Sequence, residues 1–237
     1  NIGVTLGLNA LKDEGYRMGD NDDRVRLNIG LQRKFAEKNL LLGVNASTQV
    51  GNSSNFLLWE SFEKGYTALD SNVNTSNTTR INVDPYISWY KGNVSQYVNT
   101  RFLFVDNEVD NGDPNIDQSN TSNLFYGEYR IQYKSEKLKI NLNGGLVAIN
   151  STTASPLYNG NQKAANYAAY AQIDKSWNRF LLSGGARYEH FRLNDRQEGR
   201  PVFRLGTNYQ LASFTFFRAS YGEGYRFPSI AESYITT

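Results

Sequence analysis

The chain has 237 residues with 25 Lys and Arg, 23 Asp and Glu, one His and no Cys. The lack of cysteine excludes a disulfide framework, a thiol nucleophile and the common zinc and iron–sulfur sites. A net charge of +2 is too even for a dedicated nucleic-acid binder, so we expect no nucleic-acid partner. Mean hydropathy is −0.57, and no window approaches the ~20 apolar residues of a membrane helix. Aromatic residues reach 14%, which fits both soluble and membrane-spanning β proteins.

Apolar and polar residues alternate with a period of two, which is the pattern of a β-strand with two different faces. In the first segment Ile2, Val4 and Leu6 share one parity, whereas Gly3 and Thr5 take the other. Similar segments recur and predict about eleven strands, near residues 1–10, 24–32, 40–49, 80–89, 95–106, 123–134, 138–150, 166–177, 180–192, 201–210 and 213–221. The sequence therefore predicts an all-β fold.

The predicted connections alternate strictly between short and long. The long ones are expected at residues 13–23, 51–78, 107–122, 151–165 and 193–200. In an up-and-down meander this places every long loop at one rim, as in outer-membrane barrels with short periplasmic turns and larger extracellular loops. Strands of about ten residues, tilted by ~40°, also span the ~25 Å apolar band of such barrels. We therefore predict an antiparallel up-and-down transmembrane β-barrel.

The strand count suggests that the barrel is larger than this chain. Eleven is odd, whereas bacterial single-chain barrels have an even number of strands. An open sheet in lipid would also leave unpaired backbone groups, which cost several kcal/mol each. We expect the strands to continue beyond Asn1–Thr237.

The end of the chain carries a family resemblance. Residues 221–232 read YGEGYRFPSIAE, which resembles the YGxGFRAPxxxE element of TonB-dependent outer-membrane transporters. Arg226, Pro228 and Glu232 match this element, whereas its Phe and Ala are replaced by Tyr and Phe. Weaker likeness covers residues 9–34, 77–86 and 124–130.

The resemblance implies a barrel of about 22 strands closed around a plug. Residues 1–237 would then form about half of this barrel, with the plug and the remaining strands outside the chain. The implied function is TonB-coupled uptake of a scarce nutrient: a ferric siderophore, haem, cobalamin, a glycan or a peptide. The implied partners are this extracellular substrate, outer-membrane lipid and a TonB-type energy-coupling protein that acts through the plug region. A surface lipoprotein over the barrel mouth is left open.

The predicted loop at residues 51–78 contains four aromatic residues that are candidates for ligand binding: Phe56, Trp59, Phe62 and Tyr66. Exposed rings can hold a ligand by stacking or burial, although they can equally pack the loop against itself. Arg226 is a further candidate, either for substrate contact or for an ion pair that holds the base of its own segment. These five residues are the predicted ligand-binding site.

No catalytic motif of the GxSxG, HExxH or P-loop type is present, so we expect neither an enzyme nor a cofactor site. His190 has the parity of the apolar residues, which favours a structural or interfacial role. The acidic stretch at residues 107–122 is expected to be a solvated loop, with a Ca²⁺ site as the alternative. Two rival functions remain: a passive porin, and a soluble surface domain that binds sugars.

Overall fold

The computed structural model describes residues 1–69, 73–113 and 115–234, and nearly all of them lie in one antiparallel sheet. Its strands are β1 (Ile2–Asp13), β2 (Asn21–Phe35), β3 (Leu40–Asn55), β4 (Asn74–Lys91), β5 (Val94–Asp110), β6 (Asn120–Ser135), β7 (Ile140–Ser155), β8 (Gly160–Trp177), β9 (Phe180–Leu193), β10 (Arg196–Ala212) and β11 (Thr215–Gly222). One short helix, α1 (Ile230–Tyr234), follows. Strand order in space equals strand order in sequence, so the predicted all-β, up-and-down fold of eleven strands is confirmed.

The strand register separates the sheet into two chemically different faces. Residues directly opposite each other in an antiparallel sheet point to the same side. One such row consists of Leu6, Ile29, Ala46, Val83 and Phe102. The neighbouring row includes Asn28, Ser47 and Asn82, and the Asn82 amide donates to the Ser47 hydroxyl at 3.0 Å. We call these sides the apolar face and the polar face.

The apolar face is largely uncovered. The buried apolar side chains of the described residues are just Phe56, Ala68, Val147, Ala168 and Leu193. In contrast, Leu6 is 71% exposed and Leu146 is 59% exposed. A soluble sandwich would bury such a face against a second layer. This face is therefore suited to lipid rather than to water.

Within the described residues, no helix is long and apolar enough to cross a membrane.

The strands are longer than predicted, and two predicted long loops are wrong. Residues 151–165 mostly extend β7 and β8, and a single turn of 3-10 helix, Pro156–Tyr158, joins these strands. Residues 193–200 also belong mostly to strands, since only Asn194 and Asp195 separate β9 from β10. The prediction ended each strand where apolar alternation stops, whereas the backbone ladder continues through polar sequence.

The two rims of the sheet differ in their connections. One, the loop rim, carries the connections after β1, β3, β5, β7 and β9; the other, the turn rim, carries those after the even-numbered strands. The longer connections, which follow β1, β3 and β5, all begin and end at the loop rim. Strict alternation of loop length fails after β7, but long connections still occur at a single rim.

Many connections at both rims turn through a residue with left-handed backbone. Asn39, Asn159, Asn178 and Asn194 have φ between 45° and 57°. Asparagine tolerates this conformation better than most other residues, because its short polar side chain can bond to nearby backbone. An asparagine between two alternating runs is therefore a turn signal, and Asn194 marks a turn where a long loop was predicted.

The strands extend past the apolar band at the loop rim as a polar collar, which we define as residues 51–55, 74–79, 106–110, 120–123 and 150–155. Its side chains bond across strands. The Asn52 amide donates to Asn77 at 2.7 Å, and the Thr78 hydroxyl donates to Asn107 at 2.8 Å. Both faces of these strand ends are polar, which explains why hydropathy did not reveal them.

Candidate functional site

The loop between β3 and β4 is fastened to the loop between β1 and β2. The Arg17 guanidinium lies 4.4 Å from the centre of the Phe56 ring and donates to the Phe56 carbonyl oxygen at 3.1 Å. Arg17 also pairs with Asp20 at 2.6 Å, and the backbone N–H of Met18 donates to the Tyr66 carbonyl at 2.9 Å. The two loops therefore form one unit above the loop rim.

Phe56 is the buried packing residue of this unit. Its side chain is only 2% exposed beneath Arg17, so it packs the loop and is not available to a ligand in this conformation. The sequence left loop packing and ligand contact as alternatives for this residue. For Phe56 the structure favours packing.

The other three predicted aromatic residues of the loop are exposed. A small hairpin pairs Trp59 with Ala68, and Trp59 is 56% exposed. Phe62, at the tip, is 93% exposed. Tyr66 contacts Tyr16 edge to face at 6.1 Å while remaining largely exposed. Residues 70–72 of the predicted loop lie outside the described residues. Trp59, Phe62 and Tyr66 thus form an exposed aromatic surface on this loop.

Arg226 belongs to the segment that follows β11. Its guanidinium bonds to the Glu232 carboxylate at 2.5 Å, and this carboxylate also accepts the backbone N–H of Ser229 at 2.8 Å. These contacts lower the pKa of Glu232 to about 2, with the Ser229 N–H as the main cause. Arg226 therefore holds its own segment together, and its 78% exposed side chain still reaches solvent.

After Gly222 the chain leaves the sheet and returns along the polar face. The Phe227 ring stacks on Phe191 at 4.5 Å, and the Tyr225 hydroxyl donates to Glu198 at 2.8 Å. The Tyr234 hydroxyl then accepts from Asn194 at 2.8 Å. The family-like element thus covers part of the polar face instead of extending the sheet.

A cluster of charged and phenolic groups lies on the polar face and was missed by sequence reasoning. The Glu128 carboxylate accepts the hydroxyls of Tyr170 at 2.8 Å and Tyr126 at 3.1 Å. The neighbouring Glu189 carboxylate accepts from Arg187 at 2.6 Å. Each residue has polar parity on its own strand, but only the register across β6 to β9 brings them together. Parity alone could have placed them on this face, not next to one another.

Two cavities open on the polar face beside this cluster. One, of about 880 Å³, is lined by groups that include Glu128, Tyr170, Arg187 and Arg204. The other, of about 580 Å³, lies under the returning segment and is lined largely by hydroxyl, amide and aromatic side chains, namely Asn120, Ser122, Ser151, Thr153, Tyr158, Asn166, Phe191 and Phe227. The polar face therefore offers concave surface with both hydrogen-bonding and stacking groups.

The acidic stretch between β5 and β6 folds around its own backbone. The Asp110 carboxylate accepts the N–H of Gly112 at 2.9 Å, and Asp117 accepts the N–H of Ser119 at 2.8 Å. The Ser119 N–H lowers the pKa of Asp117. Within residues 1–69, 73–113 and 115–234, no three acidic or histidine side chains come close enough to hold a metal ion. These carboxylates act here as turn-forming groups.

A single antiparallel meander with an apolar face, a polar face and long loops at one rim defines a β-barrel of the outer-membrane type. The chain belongs to the TonB-dependent receptor family, since the model described as "TonB dependent receptor-like, beta-barrel" matches residues 1–237. The resemblance read from residues 221–232 is thereby confirmed. None of the curated proteins matches the sequence.

Solved structures of this type share the fold. The ferric yersiniabactin uptake receptor FyuA from Yersinia pestis has a TM-score of 0.76 at 12% identity, with 90% of this chain and 40% of that one covered. The FrpB iron transporter from Neisseria meningitidis (F3-3 variant) has a TM-score of 0.70 at 12% identity, with 94% of this chain and 42% of that one covered. The ferric-catecholate import receptor Fiu from E. coli K12 has a TM-score of 0.68 at 12% identity, with 89% of this chain and 44% of that one covered. The chain thus spans less than half of each structure.

Proposed function

We propose that this chain is part of the barrel of an outer-membrane receptor that imports a scarce nutrient with energy from a TonB-type coupling protein. The observation that carries the proposal is the family match over the whole chain. The uncovered apolar face supports a place in lipid, and the polar face supports a filled, hydrated interior. The plug and the remaining strands belong, in this proposal, to the parent protein outside residues 1–237.

The substrate class that we test first is a ferric chelate. The solved structures of similar fold are named as receptors or transporters of iron or its complexes. The aromatic surface of Trp59, Phe62 and Tyr66 could stack on a chelate with aromatic rings. Haem, cobalamin, glycans and peptides are the other classes.

Uptake by cells that express the full-length protein tests the transport proposal. Radiolabelled ferric catecholate, ferric hydroxamate, haem and cobalamin serve as probes. We expect one probe to bind with or without a proton-motive force, and to enter the cell only when the force and the coupling protein are present. Uptake that continues after a protonophore would support the passive porin instead. Release of the protein into buffer without detergent would support the soluble sugar-binding domain.

The aromatic surface is tested with matched variants. Phe62→Ser at the loop rim removes a 93% exposed ring, whereas Phe214→Ser at the turn rim removes a 96% exposed one. We expect Phe62→Ser to weaken binding of the transported probe about fivefold, because a stacked ring contributes ~1 kcal/mol. Phe214→Ser should leave binding unchanged. Equal affinity of both variants would remove Phe62 from the site.

Sidedness can be tested cleanly because the chain contains no cysteine. A cysteine at Phe62 should react with a membrane-impermeant maleimide on intact cells, whereas one at Gly92 in the turn after β4 should react only after lysis. Labelling of Gly92→Cys from outside would contradict the proposed orientation.

A further inference from the structure

A groove on the apolar face is separate from the polar-face cavities. It has a volume of about 610 Å³ and its surface is almost entirely apolar. The residues of apolar-face parity that line it include Phe125, Gly127, Leu146, Ala148, Tyr167 and Tyr188. Gly127, opposite Ala148, provides a shallow floor between larger rings. We call this feature the outer groove.

The outer groove ends where the apolar face becomes polar and basic. The next row toward the loop rim places Phe125 opposite Asn150, and Ala165 opposite Arg192. Lys163 lies two residues before Ala165 on the same face of β8, one row closer to the loop rim. An apolar groove thus leads to two cations near the height of the polar collar.

On the apolar face the charge of β6 to β10 is one-sided, whereas the neighbouring β5 carries Asp106, Glu108 and Asp110 on this face and Asp195 lies in the turn after β9. Every carboxylate of strands β6 to β10 has polar-face parity, namely Glu128, Asp174, Glu189 and Glu198. Lys163 and Arg192 have the opposite parity, are exposed, and form no salt bridge with any residue that the structure describes. Arg192 donates from Nε to the Asn194 carbonyl at 2.7 Å, which orients its guanidinium at the loop rim. The surface above the groove is therefore complementary to an anion.

We propose that the outer groove binds a phosphate-bearing lipid of the outer leaflet. An acyl chain lies in the groove, while the phosphate contacts Lys163 and Arg192. The proposal rests on the proposed location in the outer membrane, because only there does the loop rim meet the outer leaflet. Lys and Arg near a membrane surface strengthen the binding of anionic lipid, and charge-assisted bonds to phosphate add specificity.

Lipid retention by the full-length protein tests the site. The protein is purified in mild detergent, delipidated and incubated with bis-phosphorylated lipid A, and bound lipid is counted by native mass spectrometry. The double variant Lys163→Gln with Arg192→Gln should retain at least about tenfold less lipid. Ala148→Phe, which fills the groove, should also reduce retention. Dephosphorylated lipid A should bind to wild type as weakly as lipid A binds to the double variant.

Two control variants make the same kinds of substitution at positions outside the outer groove. Arg33→Gln removes an apolar-face cation near the turn rim, and Ala171→Phe adds a ring to a different apolar-face hollow. Both should retain lipid A like wild type. Equal retention by all variants, or a dimer mass that appears only when the groove is open, would overturn the lipid assignment. Because the binding assay uses purified protein, it gives an answer even if uptake by the cell fails.

Discussion

The apolar band and the polar collar are built from the same strands, yet they follow different rules. In the band, residues alternate between lipid-facing and inward-facing, so the sequence shows a period of two. In the collar the same ladder continues, as Ser53 opposite Ser76 illustrates, but both faces carry Asn, Ser and Thr. Backbone pairing therefore defines a strand, whereas hydropathic alternation shows where one face meets lipid.

The difference also separates two sources of stability. The band depends on contact between apolar side chains and lipid, and the free-energy cost of each charge placed there is large. The collar depends on cross-strand hydrogen bonds in contact with water, each of which has a small net value. Substitutions in the two regions should therefore differ in magnitude even on one strand.

The largest expected effect is a charge in the band. Leu146→Arg on β7 should lower the free energy of unfolding by ~2–4 kcal/mol, because the side chain faces the middle of the lipid. Thr152→Arg has the same parity on the same strand but lies in the collar, and should cost ~0–1 kcal/mol. Guanidinium unfolding of the full-length protein in lipid vesicles, followed by tryptophan fluorescence, measures both. Equal losses would contradict the division into band and collar.

The next effect compares the two faces at the height of the band. Tyr170→Phe removes the hydroxyl that donates to the Glu128 carboxylate at 2.8 Å and should cost about 1.5–2 kcal/mol. Tyr167→Phe, on the apolar face of β8, removes a bond to the neutral Asn150 amide and should cost about 0.5–1 kcal/mol. The same unfolding assay ranks the two. A larger loss for Tyr167 would show that the polar-face cluster does not hold the strands together.

A smaller, local effect is expected in the collar itself. Asn107→Ala removes the acceptor of the Ser76 and Thr78 hydroxyls and should cost about 1 kcal/mol. The loss should appear as faster hydrogen exchange of residues 74–79, measured by mass spectrometry. Exchange in the band part of β4, residues 81–89, should stay as in wild type. Faster exchange along the whole strand would mean that the collar and the band unfold together.

The smallest effect is a pH response of the segment after β11. The pKa of Glu232 falls from 4.5 to about 2, so its contacts with Ser229 and Arg226 require the ionised carboxylate. The stabilisation of this segment by the ionised Glu232 carboxylate is complete above about pH 4.5 and is lost as the pH falls toward 2. NMR titration of the Glu232 carboxyl in detergent measures this value. Glu232→Gln should abolish the response, and an ordinary pKa would show that the contacts of Glu232 with Ser229 and Arg226 do not form.

The candidate site was predictable only in part. Trp59 and Phe62 stand out in the sequence because large aromatic residues are rare in a polar loop, and the structure leaves both exposed. Phe56 carries the same signal but is buried, because Arg17 from a different loop covers it. Glu128 and Glu189 gave no signal, since each is one polar residue in an alternating strand. Contacts between loops or across strands are invisible to a pattern read along one segment.

The sequence by itself determined the number of strands and which side chains of a strand share a face, because a period of two is fixed by local backbone geometry. The pattern of short and long connections predicted their up-and-down order. The sequence also carried the family-like element around Arg226. Only the tertiary structure decided where the strands end, since a polar strand is held by its neighbours and not by its own hydropathy. The same pairing placed Glu128 beside Tyr170, and Lys163 and Arg192 above the outer groove.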